Sequence, residues 1–147
     1  MLAEVPIFLE IDRVISASRE RVFAAWTQPE KLKKWWHIGN DWSNSIAEVD
    51  LRVGGAYRLG MSSKSGQESI VVGVYKEVVV PEKLVFTWNW DHDQQEQETL
   101  VTILLTKLED NTTHILLKHE NFETQEWCDR HEAGWNLCFV QLEIVLL

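Results

Sequence analysis

Five histidines and two cysteines carry most of the side-chain chemistry open to this chain of 147 residues. His37, His92, His114, His119 and His131 are scattered, and no two stand three or four apart as paired metal ligands on a helix would. HEAGW (131–135) opens like the zinc motif HExxH, but Trp135 stands where the second histidine belongs. DHD (91–93) lacks the ligand spacing of a calcium loop. No metal site and no cofactor is therefore expected. Neither Cys128 nor Cys138 has a neighbour that marks an activated thiolate, and no serine stands in a nucleophile motif, so no catalytic residue is assigned. Gly54-Gly55 precedes a strand rather than a helix and lacks the phosphate-loop pattern. It reads as a turn or bulge that needs a positive φ.

Two patterns remain. In HILLKHE (114–120), Ile115, Leu117 and His119 share one strand face, so an apolar face ends in an inward histidine. Such a group could bond a ligand or carry a proton, with Glu98 or Glu120 as the carboxylate partner. The plain alternative is a core histidine bonded to a neighbour. In KLVFTWNWD (83–91), Leu84, Phe86, Trp88 and Trp90 share a face, and Asn89 and Asp91 should stay wet on the other. Indoles near a strand end offer flat apolar walls and one N–H each, as a pocket needs. WWHIGNDW (35–42) adds Trp36 and Trp42, further indoles of which one could line an entrance. Trp35 and Trp36 are adjacent, so on a helix only one of them should pack inward. The candidate ligand-binding set is Trp36, Trp42, Tyr57, Trp88, Trp90, His119 and Trp135, against the alternative that all are core.

The elements that must hold these residues follow from pattern. Length and a 45% apolar, 25% charged composition fit one domain over 1–147. The start lacks the basic and apolar regions of a signal peptide, and no run nears the roughly 20 apolar residues of a bilayer span. Reduced cysteines and a cytoplasmic location are expected. A net charge of −9 disfavours nucleic acid and anionic membrane surfaces. IFLEIDRVIS (7–16) is a first strand, and Ser18 caps a helix carrying Val22, Phe23 and Trp26. Thr27 and Glu30 have capping-box spacing for a second short helix with Pro29 in its first turn. Further strands follow, making six or seven antiparallel strands in all, with DHDQQEQ (91–97) as one hairpin tip. Trp135, Phe139, Leu142 and Leu146 form a helical stripe over 131–147. Asp129 and Glu132 have capping-box spacing at its start, and Gly134 suggests close helix–sheet approach.

In order and spacing, RVISASRERVFAAWTQPEKLKKWW, DLRVGGAYRL, VYKEVVVPEKLVFTW, THILLKHENF and HEAGWNLCFVQL resemble the activator of heat-shock-protein-90 ATPase homologue family. That family lies within the START-like, helix-grip (SRPBCC) superfamily, and the resemblance runs from about Ile11 to Leu146. It implies an α+β fold in which a curved antiparallel sheet of about seven strands surrounds a long C-terminal helix, with two short helices after the first strand. It also implies a cavity between sheet and helix. The leading expectation is a monomer or homodimer that binds a small, largely apolar ligand there without turnover. The alternatives are a co-chaperone-like module that stimulates a chaperone ATPase, and a cavity enzyme of cyclase or hydrolase type.

Overall fold

The computed structural model describes residues 5–91 and 98–147, so His92 and the remainder of the expected hairpin tip lie outside it. β1 (Phe8–Ile15) is followed by α1 (Arg19–Thr27) and α2 (Pro29–Trp35). Six strands come next: β2 (Trp42–Val49), β3 (Ala56–Ser63), β4 (Glu68–Val79), β5 (Lys83–Trp90), β6 (Thr99–Lys107) and β7 (Thr113–Glu120). α3 (Gln125–Val145) closes the chain. The seven strands form one sheet in the order β1-β7-β6-β5-β4-β3-β2, with each neighbouring pair antiparallel. The two edge strands are thus consecutive in sequence, and α1 with α2 spans the gap between them. Register shifts at Asn44/Ile46 in β2–β3 and at Tyr75/Glu77 in β4–β5 add the local bend that curls the sheet.

Strict alternation explains the inner face. Thr113, Ile115, Leu117 and His119 of β7 are all buried, and the residues between them are half-buried. Leu117 pairs with Ile11 on one side and Ile103 on the other, and His119 likewise with Leu9 and Val101. In β5 the rule is weaker: Leu84, Phe86 and Trp88 are buried, but so are Val85 and Thr87 on the opposite face. Thr87 is covered because β4 comes very close; a Cβ on Gly73 would collide with its carbonyl and with the Tyr57 ring. Asp91 is exposed, while Asn89 is half-buried and bonded to Glu98 (3.1 Å). Gly54 has the positive φ expected of its turn (85°), and Gly55 does not.

Two helix boundaries differ from expectation for local reasons. Ser18 caps α1 as expected, accepting from the Arg21 N–H. Thr27, however, belongs to the last turn of α1, and its hydroxyl donates to the Phe23 carbonyl four residues back (2.8 Å). Gln28 becomes the N-cap of α2, with no side-chain bond. The second difference is α3, which begins at Gln125 rather than near Asp129; the Thr124 hydroxyl accepts from the Trp127 N–H (3.1 Å). Asp129 is already inside, accepting from Gln125 one turn earlier. At 21 residues, α3 is about 31 Å long. It buries Trp135, Phe139 and Leu142 against the sheet and α1, with Trp26 5.8 Å from Trp135 and 6.0 Å from Phe139. Arg13 of β1 donates to Asn136 (2.7 Å), fixing the helix across that edge. No helix among the described residues is long and apolar enough to cross a membrane.

Candidate functional site

The chain reverses at the end of α2, and this decides the fate of two indoles. Trp35 is the last helical residue, and its Nε1–H donates to the Ala25 carbonyl of α1 (2.8 Å). Trp36 is the C-cap, with φ −79° and ψ 79°, outside helical geometry. Both rings are 1% exposed, contrary to the expectation that only one would pack inward. The non-helical cap turns the second indole inward beside the first. Trp36 then faces Trp88 of β5, with ring centroids 6.3 Å apart.

Trp88 is the hub of this region. Its ring lies 5.5 Å from Trp90, perpendicular to it, and 5.1 Å from Trp135 of α3. Around these rings, between the sheet and the N-terminal half of α3, lies a cavity of about 270 Å³. Trp36, Trp42, Trp88, Trp90, Trp127 and Trp135 wall it. Met61 and Ser69 complete the sheet side, Ile38 comes from the α2–β2 connection, and Arg130, His131, Gly134 and Cys138 form the helix side. A second space of about 10 Å³, room for about one water, lies deeper, bordered by Trp26, Tyr57, Tyr75 and Phe86. Trp36, Trp88 and Trp135 border both spaces and so divide them.

Two histidines knit this wall, and their partners fix their tautomers. His131 Nε2 accepts from the Trp90 indole (2.9 Å), which can only donate. Its Nδ1–H donates to the Trp127 carbonyl (2.8 Å), which can only accept. His119 Nδ1 accepts from the Trp135 indole (3.0 Å), so its Nε2–H donates to the Thr99 hydroxyl (2.7 Å). Both rings are neutral in this arrangement, and their centroids are 5.2 Å apart. Burial, with His131 as a further charge nearby, holds the His119 pKa well below its usual value. Burial also lowers that of His131, against a smaller opposing effect of its bond to the Trp127 carbonyl. The Cys138 thiol is pushed up to about 12 by burial, so it stays protonated. Arg130 supplies the only cationic side chain among the described lining residues, and its guanidinium is paired with Glu126 (2.8 Å).

Of the seven sequence-predicted site residues, the structure brings Trp36, Trp42, Trp88, Trp90 and Trp135 together on the main cavity. Tyr57 borders the inner space instead, its hydroxyl donated to the Thr87 carbonyl. His119 is fully buried behind Trp88 and Trp135 with both nitrogens engaged, and it does not line the cavity. Its expected carboxylate partners are not assembled: Glu98 bonds Asn89, and Glu120 alternates to the other face of β7. Gly134 is not a point of close approach, because a Cβ there would meet nothing within 4 Å and would stand in open space. The sequence reading missed His131 and Trp127 as wall residues. Trp127, His131, Gly134 and Cys138 succeed one another at intervals of four, three and four, a helical face that a correct α3 start would have shown.

This geometry leaves room for a small apolar molecule, and the chain is similar in sequence and fold to known proteins. The profile of the activator of Hsp90 ATPase homolog 1-like proteins matches residues 16–146. The chain belongs to this family. Among solved structures, a protein from Chromobacterium violaceum is 28% identical, with a TM-score of 0.81 over 95% of this chain and 96% of that one. The AHSA1 protein from Silicibacter pomeroyi is 26% identical, with a TM-score of 0.83 over 95% and 97%. No curated protein matches the sequence. Membership agrees with the helix-grip fold, since the relatives match along nearly their whole length.

Proposed function

We propose that this protein binds a small, largely apolar ligand in the cavity between the sheet and the N-terminal half of α3, without turning it over. The observation that carries this reading is the cavity of about 270 Å³ walled by six indoles, close to the lower end of small-molecule sites at about 300 Å³. Binding without turnover is favoured because the titratable groups at the wall are committed elsewhere. His131 uses both nitrogens structurally, and the Cys138 thiol stays protonated. Titration with an environment-sensitive naphthalene probe, followed by tryptophan fluorescence, tests the reading. Saturable binding that bulky substitution at Gly134 abolishes supports it; no saturable response would sink it. The family description points to a chaperone ATPase as a partner. Stimulation of such an ATPase by the purified protein, unaffected by filling the cavity, would favour that reading instead.

A further inference from the structure

Cations are the minority charge on this chain, and along the sheet and α3 most of them face a carboxylate. Arg52, Arg58, Lys64, Lys83 and Arg130 each form an ion pair of 3.9 Å or less. The first two helices differ. Arg19, Arg21, Lys31, Lys33 and Lys34 stand there against Glu20 and Glu30 alone, so α1 and α2 are net positive in a chain of −9. Arg19 pairs with Glu82 (3.7 Å), whereas Arg21, Lys31 and Lys34 pair with no carboxylate among the described residues. These three converge on a groove of about 270 Å³ between α1, α2 and the last turn of α3, floored by Ala24, Val145 and Leu146. Glu20 is the one carboxylate among its described lining residues. Helix stability does not account for the cluster. Arg21 and Lys31 are each the third residue of their helix, where the dipole favours a carboxylate. Arg21 reaches the Leu146 carbonyl (3.5 Å), which holds its guanidinium at the groove without neutralising it.

We infer that this three-helix groove is a docking surface for an acidic peptide segment of a partner protein, one that sets an apolar side chain between carboxylates. Charge complementarity selects the occupant. Lys31 and Lys34 are neighbours on one face of α2, and Arg21 comes from α1, so positive charge flanks the apolar floor from two elements. A single inorganic anion would answer one cation and leave the floor uncovered. An alkyl carboxylate would cover the floor but bring one charge. A short acidic chain with an apolar residue meets both demands. The groove is separate from the indole cavity and shares no lining residue with it, so the inference stands independently of the ligand-binding reading.

Titration of isotope-labelled protein with capped hexapeptides, read by proton–nitrogen NMR at low salt, tests this. The probes are Glu-Glu-Leu-Leu-Glu-Glu, its glutamine counterpart Gln-Gln-Leu-Leu-Gln-Gln, and Glu-Glu-Ser-Ser-Glu-Glu, with inorganic phosphate as the small anion. The acidic leucine peptide is expected to shift the amides of Arg21, Ala24, Lys31, Lys34 and Val145 and to leave Trp88 and Gly134 unmoved. It should bind about threefold to tenfold tighter than the glutamine peptide, the worth of two or three exposed ion pairs. That advantage should fade as salt shortens the Debye length. The double variant Lys31→Gln/Lys34→Gln keeps good helix formers and should bring the ratio toward unity. Lys33→Gln removes a cation of the same helix that does not line the groove, and most of the advantage should survive it. Several results would overturn the proposal: no preference for the acidic peptide, a loss in Lys33→Gln as large as in the double variant, or shifts centred elsewhere. Equal binding of the serine peptide, or phosphate displacing the leucine peptide at equal concentration, would reduce the groove to an anion site and overturn it too.

Discussion

The two halves of α3 bury the same kind of surface in opposite ways. Toward the C-terminus, Phe139, Leu142 and Leu146 pack against α1 and the sheet with 7% exposure or less, and none has a polar side-chain atom to satisfy. Toward the N-terminus, Trp127, His131, Gly134 and Trp135 border a cavity, and two of them are bonded across to the sheet, His131 to Trp90 of β5 and Trp135 to His119 of β7. An aliphatic interface closes because branched side chains interdigitate in many rotamers. A wall of indoles and imidazoles is stiff, and its directional bonds hold the rings where close packing alone would not. Space survives where hydrogen bonds, rather than volume, set side-chain positions.

The largest expected effects come from truncating one ring on each side of that divide. Phe139→Ala in the filled half should cost about 3–5 kcal/mol in urea denaturation and leave probe affinity unchanged in the folded protein. Trp135→Ala at the boundary should cost a similar amount, about 3–5 kcal/mol, and in addition abolish binding. It removes a cavity wall and the donor that His119 Nδ1 accepts. A loss below about 1 kcal/mol for Trp135→Ala would mean that the aromatic half is not a structural unit.

Acid should separate the halves next. His119 and His131 have lowered pKa values in the folded protein, so the unfolded chain binds more protons below its own histidine pKa of about 6.5. Their contribution is fully present above that pH and is lost as pH falls through it, down toward the folded values. Each histidine contributes a slope of up to about 1.4 kcal/mol per pH unit, so the pair reaches about 2–3 kcal/mol per unit. Protonation turns an accepting nitrogen toward the Trp90 or Trp135 N–H, donor against donor. Unfolding midpoints measured between pH 7.5 and 5 check this, with His131→Gln as the variant that should flatten the slope by about half. A pH-independent midpoint over that range would show that the two rings are not held neutral.

A smaller effect is expected at Trp90, whose N–H is the single bond tying His131 Nε2 to the strand. Trp90→Phe should cost about 1 kcal/mol, the net value of one hydrogen bond. It should also raise the His131 pKa toward its ordinary value, because a proton on Nε2 would no longer meet a donor. A histidine titration followed by NMR reads this directly, and an unchanged His131 curve would break the proposed role of the pair.

The filled half was legible in the sequence and the open half only partly so. Alternation in β5 and β7 and the stripe of Trp135, Phe139, Leu142 and Leu146 carry their own period, which sufficed for the helix-grip fold. The first turns of α3 do not: NFETQEWCDR is polar enough to read as a loop, and the Thr124 cap lacks a Glu or Gln three residues on. With that start misplaced, Trp127 fell outside the helix, and His131, one turn before Trp135, was left in its first turn and passed over as a wall residue. The Trp90–His131 bond spans 41 residues and depends on how the helix lies over the sheet, which no local pattern specifies. His119 shows the converse: its inward orientation was readable, yet its two partners, Thr99 and Trp135, come from different elements. Their positions turn a would-be ligand group into a core one.

Gly134 gives the smallest effect and the sharpest cut between the halves. Inside a helix, glycine costs about 0.8–1 kcal/mol relative to alanine, because its unfolded chain has more freedom to lose. Such a cost is often offset by a close backbone approach, as at Gly73, where a Cβ would strike the Thr87 carbonyl. At Gly134 no described residue outside the helix's own backbone lies within 4 Å of the Cβ position, and the residue borders the cavity. Beyond the helix's own backbone, no described residue opposes an alanine there, but a ligand would. Gly134→Ala should therefore stabilise the protein by about 0.5–1 kcal/mol while weakening the naphthalene probe. Gly134→Val should weaken binding further, although its branched side chain gives back part of the helical gain. Chemical denaturation and probe titration on the same samples read the two effects independently. Stability and affinity rising together would show that the space beside Gly134 is not where the ligand sits.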